Sequence, residues 1–255
     1  MKKLLLLITI FTGALFWQVS AQTAYSFTTG GALGQFGPSQ AQLDAAYSGT
    51  NLQGAVTSTG GIQTWTVPTT GMYSIEATGG QGYGPFGGRG AKIKGDFLLN
   101  AGDVLKILVG QEAGVYSLPQ YDHQFGGGGG SFVTDNSNNP LVIAGGGGGN
   151  HGTSFVASCD GQITGNGAAG IAGSTTSNGG TAGQGGLAAS SADGGGGLLG
   201  DGAGTAGGEA FINGGNGGSG IVIIRFPKLS STTLYTPSIT SSLPATIIKP
   251  TTTNP

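Results

Sequence analysis

Apolar and polar residues alternate with a period of two along several short stretches of this chain, the pattern of strands that bury one face. Trp65 and Val67 alternate with Thr64 and Thr66, and beyond Pro68-Thr69-Thr70-Gly71 the set Tyr73, Ile75 and Ala77 alternates with Ser74 and Glu76. Two such stretches around a turn signal predict a hairpin. The clearest alternation covers residues 91–99, with Ala91, Ile93, Phe97 and Leu99 on one face and Lys92, Lys94 and Asp96 on the other. Asn100-Ala101-Gly102 then turns the chain into a strand over residues 104–109. Further apolar runs occupy residues 131–133, 141–144 and 221–224, the last continuous enough to predict a central strand buried on both faces. One stretch has helical period instead: Ser39-Gln40-Ala41-Gln42 has the form of a capping box, Leu43, Ala46 and Tyr47 fall on one face, and Gly49 is a natural stop. A packed loop accounts for the same residues. Short strands with repeated turn signals predict an all-β domain, an antiparallel sandwich or jelly roll.

The 56 glycines complicate that picture. Glycine costs more backbone entropy to fix than any other residue, and Gly-rich composition usually marks disorder. No Gly-X-Y period runs through the chain, which excludes collagen. Between about residues 126 and 220 the glycines come in runs of up to five, spaced by Ala, Ser, Thr and Asn. Side chains cannot build a core there. Two arrangements are open: flexible loops, or extended three-per-turn helices whose bare backbones approach closely enough to hydrogen-bond to one another.

The ends of the chain differ from its middle. Lys2 and Lys3 precede the apolar run from Leu4 to Phe11, and Val19-Ser20-Ala21 supplies small residues at a cleavage site, so residues 1–21 are expected to be a signal peptide that exports the chain. Residues 22–226 then form one glycine-rich β domain, and residues 227–255, rich in Pro, Ser and Thr, an exposed linker or tail. Leu243-Pro244-Ala245-Thr246 is close to a sortase signal, but Ile247 stands where Gly is required. No transmembrane segment is expected after cleavage. Charged residues are only 8% of the chain, so a basic surface that tracks phosphates is absent and nucleic acid is a poor partner. Cys159 has no second cysteine to pair with, and no disulfide can form within one chain.

An ordered series of motifs carries a resemblance. Gly37-Pro38-Ser39-Gln40-Ala41-Gln42 is followed by Gly61-Ile62-Gln63-Thr64-Trp65-Thr66-Val67-Pro68, by Tyr73-Ser74-Ile75-Glu76-Ala77 and by Gly88-Arg89-Gly90-Ala91. Leu105-Lys106-Ile107-Leu108-Val109-Gly110-Gln111, the two glycine runs, Phe211-Ile212-Asn213-Gly214-Gly215 and the last strand complete it. The series, over about residues 27–226, resembles the glycine-rich domain family shared by the ectodomains of the anaplastic lymphoma kinase and leukocyte tyrosine kinase receptors and by bacterial secreted proteins. The resemblance implies a tumour-necrosis-factor-like β-sandwich with an inserted bundle of polyglycine helices. Thr29-Gly30 stands where members of the family commonly carry a cysteine, and no kinase signature occurs in the chain. Neither a kinase activity nor the receptors' ligand is carried over.

Candidate chemistry is sparse. Gly82-Tyr83-Gly84-Pro85-Phe86-Gly87 fits a dinucleotide-binding spacing, but Pro85 and the following glycines offer no helix to receive a pyrophosphate. Cys159, His123 and His151 lie outside any recognised nucleophile motif, and Asp122-His123 or His151 with Asp160 lack zinc spacing. No catalytic, metal or cofactor-binding residue is therefore expected, and the chain reads as a non-enzyme. Tyr116, Tyr121, His123 and Phe125 cluster before the first five-glycine run in what reads as a variable loop; they are candidate ligand contacts, or else rings that cover the edge of the core. The expected function is a secreted or cell-surface binding or structural module, in adhesion or as a scaffold, with an extracellular protein or glycan as partner. A carbohydrate-binding accessory module is the alternative, with an ice-binding protein and a hydrolase behind it.

Overall fold

The computed structural model describes residues 22–32, 37–83, 86–111, 115–118, 121–150, 154–163, 167–172, 175–181, 183–188, 196–203, 210–213 and 221–227. The expected signal peptide and nearly all of the expected tail lie outside them. Along the chain come β1 (Thr23–Phe27), α1 (Gln40–Ala46), β2 (Val56–Thr59), β3 (Ile62–Thr66), β4 (Gly71–Thr78), β5 (Lys92–Leu99) and β6 (Val104–Leu108). They are followed by β7 (Val115–Leu118), β8 (Tyr121–Phe125), β9 (Ser131–Asp135), β10 (Pro140–Ala144), β11 (Gly170–Ala172), β12 (Thr175–Ser177) and β13 (Ile221–Phe226). A four-stranded sheet has the order β1-β13-β4-β5 and a five-stranded sheet the order β10-β9-β6-β3-β2. All their pairings are antiparallel. The fold is all-β, as the period-two pattern predicts.

The capping box forms as read: Ser39 Oγ accepts from Gln42 N–H while Gln42 Oε1 accepts from Ser39 N–H (2.9 Å). Leu43 and Tyr47 point inward, but Ala46 is exposed. Gly49 just beyond sits at φ +73°, a left-handed conformation in which a side chain is strained.

The expected hairpin across Pro68–Gly71 does not form. β3 pairs with β2 and β6, whereas β4 pairs with β13 and β5, so the turn carries the chain from one sheet to the other. The reason lies at Val67, which donates to the Asp103 carbonyl (2.8 Å) and accepts from Gly102 N–H (2.9 Å), keeping β3 beside β6. Alternation specifies which side of a strand is buried, not which strand lies next to it. Trp65 and Tyr73 consequently meet across the core, ring centroids 6.4 Å apart, instead of side by side. The last strand is also corrected in part. β13 lies between β1 and β4, but Val222 and Ile224 are buried while Ile223 and Arg225 on its other face are half-buried.

Both sheets contribute to one core. Phe27 and Ile224 from the first sheet and Ile107, Val133 and Val142 from the second are essentially inaccessible, with Trp65 at the centre. Its ring touches those of Tyr25 (4.8 Å), Phe27 (5.8 Å) and Tyr73. Aromatic pairs of this kind are worth ~0.5–1.5 kcal/mol beyond area burial, so three on one side chain make Trp65 a principal anchor between sheets. A closed polar ring secures α1 to the same core. Tyr47 Oη donates to Gln63 Oε1 (2.6 Å), Gln63 Nε2 donates to the Thr28 carbonyl (2.7 Å), and Thr28 N–H donates to Tyr47 Oη (3.0 Å). Gln63 is fully buried, so each of these bonds prevents an unpaired polar group. Burial pushes the Tyr47 phenol above its ordinary pKa despite those hydrogen bonds.

At one end the two sheets continue into glycine. The connection between β4 and β5 extends the pairing of those strands, with Gly79 N–H on the Ala91 carbonyl (2.9 Å) and Gly82 N–H on the Gly88 carbonyl (2.9 Å). The segments before β9 and after β10 do the same through Gly128 N–H on Gly147 O (2.7 Å). These four arms, from two different sheets, then bond to each other: Gly80 N–H donates to Gly129 O (2.8 Å), Gly147 N–H to Gly80 O (2.9 Å), and Gly88 N–H to Gly148 O (2.9 Å). Outer arms add to the stack, with Gly148 N–H on Cys159 O (2.7 Å) and Ala169 N–H on Ser158 O (3.0 Å). A Cβ added to Gly79, Gly88, Gly146 or Gly147 would lie closer than 3.0 Å to a neighbouring main-chain atom, a distance that real Cβ atoms essentially never show. Among the described residues the glycine segments are thus packed main chain to main chain, with hydrogen bonds replacing the side-chain contacts of an ordinary core.

Candidate functional site

The glycine arms create two places where a ligand could be held. The first is a cleft of about 240 Å³ between the inner arms (126–130 and 145–149) and outer segments including 183–187 and 196–198. Phe132, Ile143 and Leu198 supply apolar lining, and Gln162, Ser177 and Gln184 supply amides and a hydroxyl. Phe132 stacks at a tilt on Phe211 (centroids 5.4 Å apart), so this floor is anchored by a small core of its own beside Leu108.

The second place is the tip of the β4–β5 connection. Tyr83 and Phe86 are half-buried there; Tyr83 N–H donates to Gly126 O (3.0 Å), and Asn150 Nδ2 donates to the Phe86 and Ser154 carbonyls (3.0 and 3.1 Å). Arg89 is fixed by its own main chain, donating to Asp160 Oδ1 (2.8 Å) and accepting from Gly161 N–H (2.6 Å). Its guanidinium lies 6.0 Å from the centre of the Phe155 ring, a side chain 49% exposed. An arginine held over an exposed ring by a rigid backbone is a contact surface of the type that anchors interfaces.

The candidate contact residues lie on the segment that runs into Gly126, which accepts from Tyr83 at this tip. The stretch read as a variable loop is a two-stranded ribbon, β7 against β8, with Tyr116 opposite Gln124, Tyr121 opposite Leu118 and Phe125 opposite Val115. His123 lies within β8. Gly126, which accepts from Tyr83, follows β8 directly. The side chains of Tyr116, Tyr121, His123 and Phe125 lie outside the described residues. Sequence reading did not single out Arg89 and Phe155 as a pair. The available signal was an arginine flanked on both sides by glycine in a chain with nine basic residues.

The remaining candidates have structural explanations. Cys159 is buried in a short 3₁₀ turn, and burial, together with the negative Asp160 beside it, pushes its thiol pKa up, away from the reactive thiolate. Asp160 is committed to Arg89 N–H. His151 lies outside the described residues. Gly82 and Gly87 of the dinucleotide-like spacing serve close approach, because a Cβ on either would strike main-chain atoms, and the chain then runs into β5. Among the described residues no three His, Cys, Asp or Glu side chains gather as a metal site, and no helix is long and apolar enough to cross a membrane.

No family model matches the chain. The leukocyte tyrosine kinase receptor of Mus musculus is 39% identical over 99 residues, which is 34% of this chain and 11% of the receptor. The chain thus matches about a tenth of the receptor's length, in its ectodomain region. Over about a third of its length, therefore, this β-rich chain is similar to part of a receptor ectodomain.

Proposed function

We propose that the protein acts outside the cell as a non-enzymatic binding or structural module, presenting a rigid glycine-rich head. The observation that carries this reading is the likeness to a receptor ectodomain. In this reading residues 1–21 are removed on export, residues 22–226 form the head as a tumour-necrosis-factor-like jelly-roll sandwich, and residues 227–255 form a tail toward an adhesive surface or scaffold. The cross-bonded glycine arms are then a bundle of three-per-turn polyglycine helices, whose repeat suits main-chain bonds between neighbours. Their packing supports the head as a platform, since a rigid scaffold lowers the entropy lost on binding. Tyr116, Tyr121, His123 and Phe125 are proposed contacts, on the β7–β8 ribbon that leads into Gly126. Carbohydrate binding is the second reading, favoured by the exposed Phe155 ring beside Arg89 and by the uncharged cleft.

An array of glycans and extracellular proteins probed with the purified chain tests this. Saturable binding to one class, weakened by joint alanine replacement of Tyr116, Tyr121 and Phe125, is the expected result. Hydrolysis of a glycoside, ester or peptide that co-purifies with the chain would reverse the reading.

A further inference from the structure

The cleft between the glycine arms departs from the rest of the stack. In the stack around it main chain lies against main chain, whereas here about 240 Å³ is open. None of the described residues lining it is Asp, Glu, Lys, Arg or His. An ionic ligand would lose its hydration there with no opposite charge in return. A purely aliphatic ligand fares poorly for the opposite reason, because it would cover the side-chain amides of Gln162 and Gln184 without pairing them. What the walls complement is a neutral molecule with both hydrogen-bonding groups and C–H faces. Its size is bounded as well, since pockets for drug-sized ligands run from ~300 Å³ upward.

We propose that this cleft binds one or two rings of a neutral saccharide, an inference that rests on the binding-module reading above. The apolar faces of the sugar meet Leu187 and Leu198, and its hydroxyls meet the amides of the two glutamines. Gln162 already donates through Nε2 to the Asp160 carbonyl (2.7 Å), which leaves Oε1 as the acceptor it can offer. Gln184, exposed, brings both halves of its amide.

The test is a titration of the ¹⁵N-labelled protein with glucose, N-acetylglucosamine and cellobiose, with glucuronate as charged control and triglycine as a main-chain control. Saturable shifts confined to the amides of residues 145–149 and 183–187 are expected with at least one neutral sugar, with glucuronate at least tenfold weaker. Leu187 is 56% exposed, so Leu187→Asp is expected to keep the unfolding midpoint and weaken binding at least tenfold. Gln184→Ala, also at an exposed position, is expected to weaken it severalfold by loss of hydrogen bonds. Shifts absent with all three sugars, shifts outside the cleft, equal binding by Leu187→Asp, or a response to triglycine instead would overturn the assignment. A chain that binds a partner on the array yet shows no response in the cleft retains the binding-module reading and loses this one.

Discussion

Replacing Gly147 by alanine adds one methyl group at a position where main chain closes in from several sides. The new Cβ would lie within 3.0 Å of the Gly88 carbonyl and of the Arg89 carbonyl oxygen, all backbone atoms with no flexible end to swing aside. Gly147 also donates to Gly80 O and accepts from Gly128 N–H, at 2.9 and 2.7 Å. Moving the arm far enough to admit the methyl group breaks at least one of these bonds. Overpacking costs ~1–3 kcal/mol in side-chain cores, and a buried main-chain group left unpaired adds ~1–3 kcal/mol. The expected loss is therefore about 2–6 kcal/mol, a large part of the ~5–15 kcal/mol that holds a domain folded. Gly145, two residues earlier in the same run, provides the contrast. A Cβ there meets nothing closer than Gln162 at 3.7 Å, and its φ is not in the left-handed region. Gly145→Ala should stabilise by ~0.4–1 kcal/mol, by narrowing the unfolded ensemble. Denaturant unfolding of the three proteins, compared at equal m-values, measures the difference. If Gly147→Ala matches the parent, or both variants shift in the same direction, the glycine arms are not packed against one another and the rigid head loses its physical basis.

Tyr47→Phe should cost about 1–3 kcal/mol in the same assay, because Gln63 Oε1 and Thr28 N–H lose their shared partner. Because burial raises the Tyr47 pKa above the ordinary phenol value of about 10, its contribution is fully present below about pH 10 and is lost as pH rises through the folded value. The alkaline fall in stability should accordingly be shallower in Tyr47→Phe, and identical pH profiles would count against the buried ring. Iodoacetamide should label Cys159 in denaturant and leave it unmodified in the folded protein at pH 8; labelling at the rate of a free thiol would contradict its burial. Mass spectrometry of the secreted protein should find Gln22 or its cyclised form at the N-terminus, and a species retaining residues 1–21 would count against export by cleavage.

Much of the fold was legible because it rests on local rules. Alternation located β4 and β5, the Asn100-Ala101-Gly102 turn located β6, and the capping box located the start of α1. Partner choice was not legible. Whether Trp65 sits beside Tyr73 or across from it depends on Val67 pairing with Asp103 and Gly102, residues thirty-odd positions away that a pattern read along the chain does not weigh. The glycine arms were harder still, since glycine has no side chain whose polarity could reveal a buried face; that they pack is set by tertiary bonds such as Gly80 to Gly129 and Gly147. The same holds for the candidate site. The aromatic cluster before the first glycine run was visible as composition, whereas the meeting of Arg89 with Phe155, and of the arms around the cleft, depends on segments far apart in sequence.

The position of β13 has a consequence for the order of events in folding. The strand joins β1 to β4 and yet is contributed by residues 221–226, after every other described strand. As the polypeptide emerges, β1 has no hydrogen-bonding neighbour in its sheet, and β4 has an open edge, until every other described strand has been made. The five-stranded sheet, by contrast, draws on residues 56–144 alone and has all its strands well before that point. Assembly is then expected in two stages, with closure of the four-stranded sheet waiting on the last described strand. Such long-range closure is intrinsically slow, and exposed strand edges in the interval invite association between chains. A chain of this design benefits from having the open edges of β1 and β4 shielded until β13 has been made.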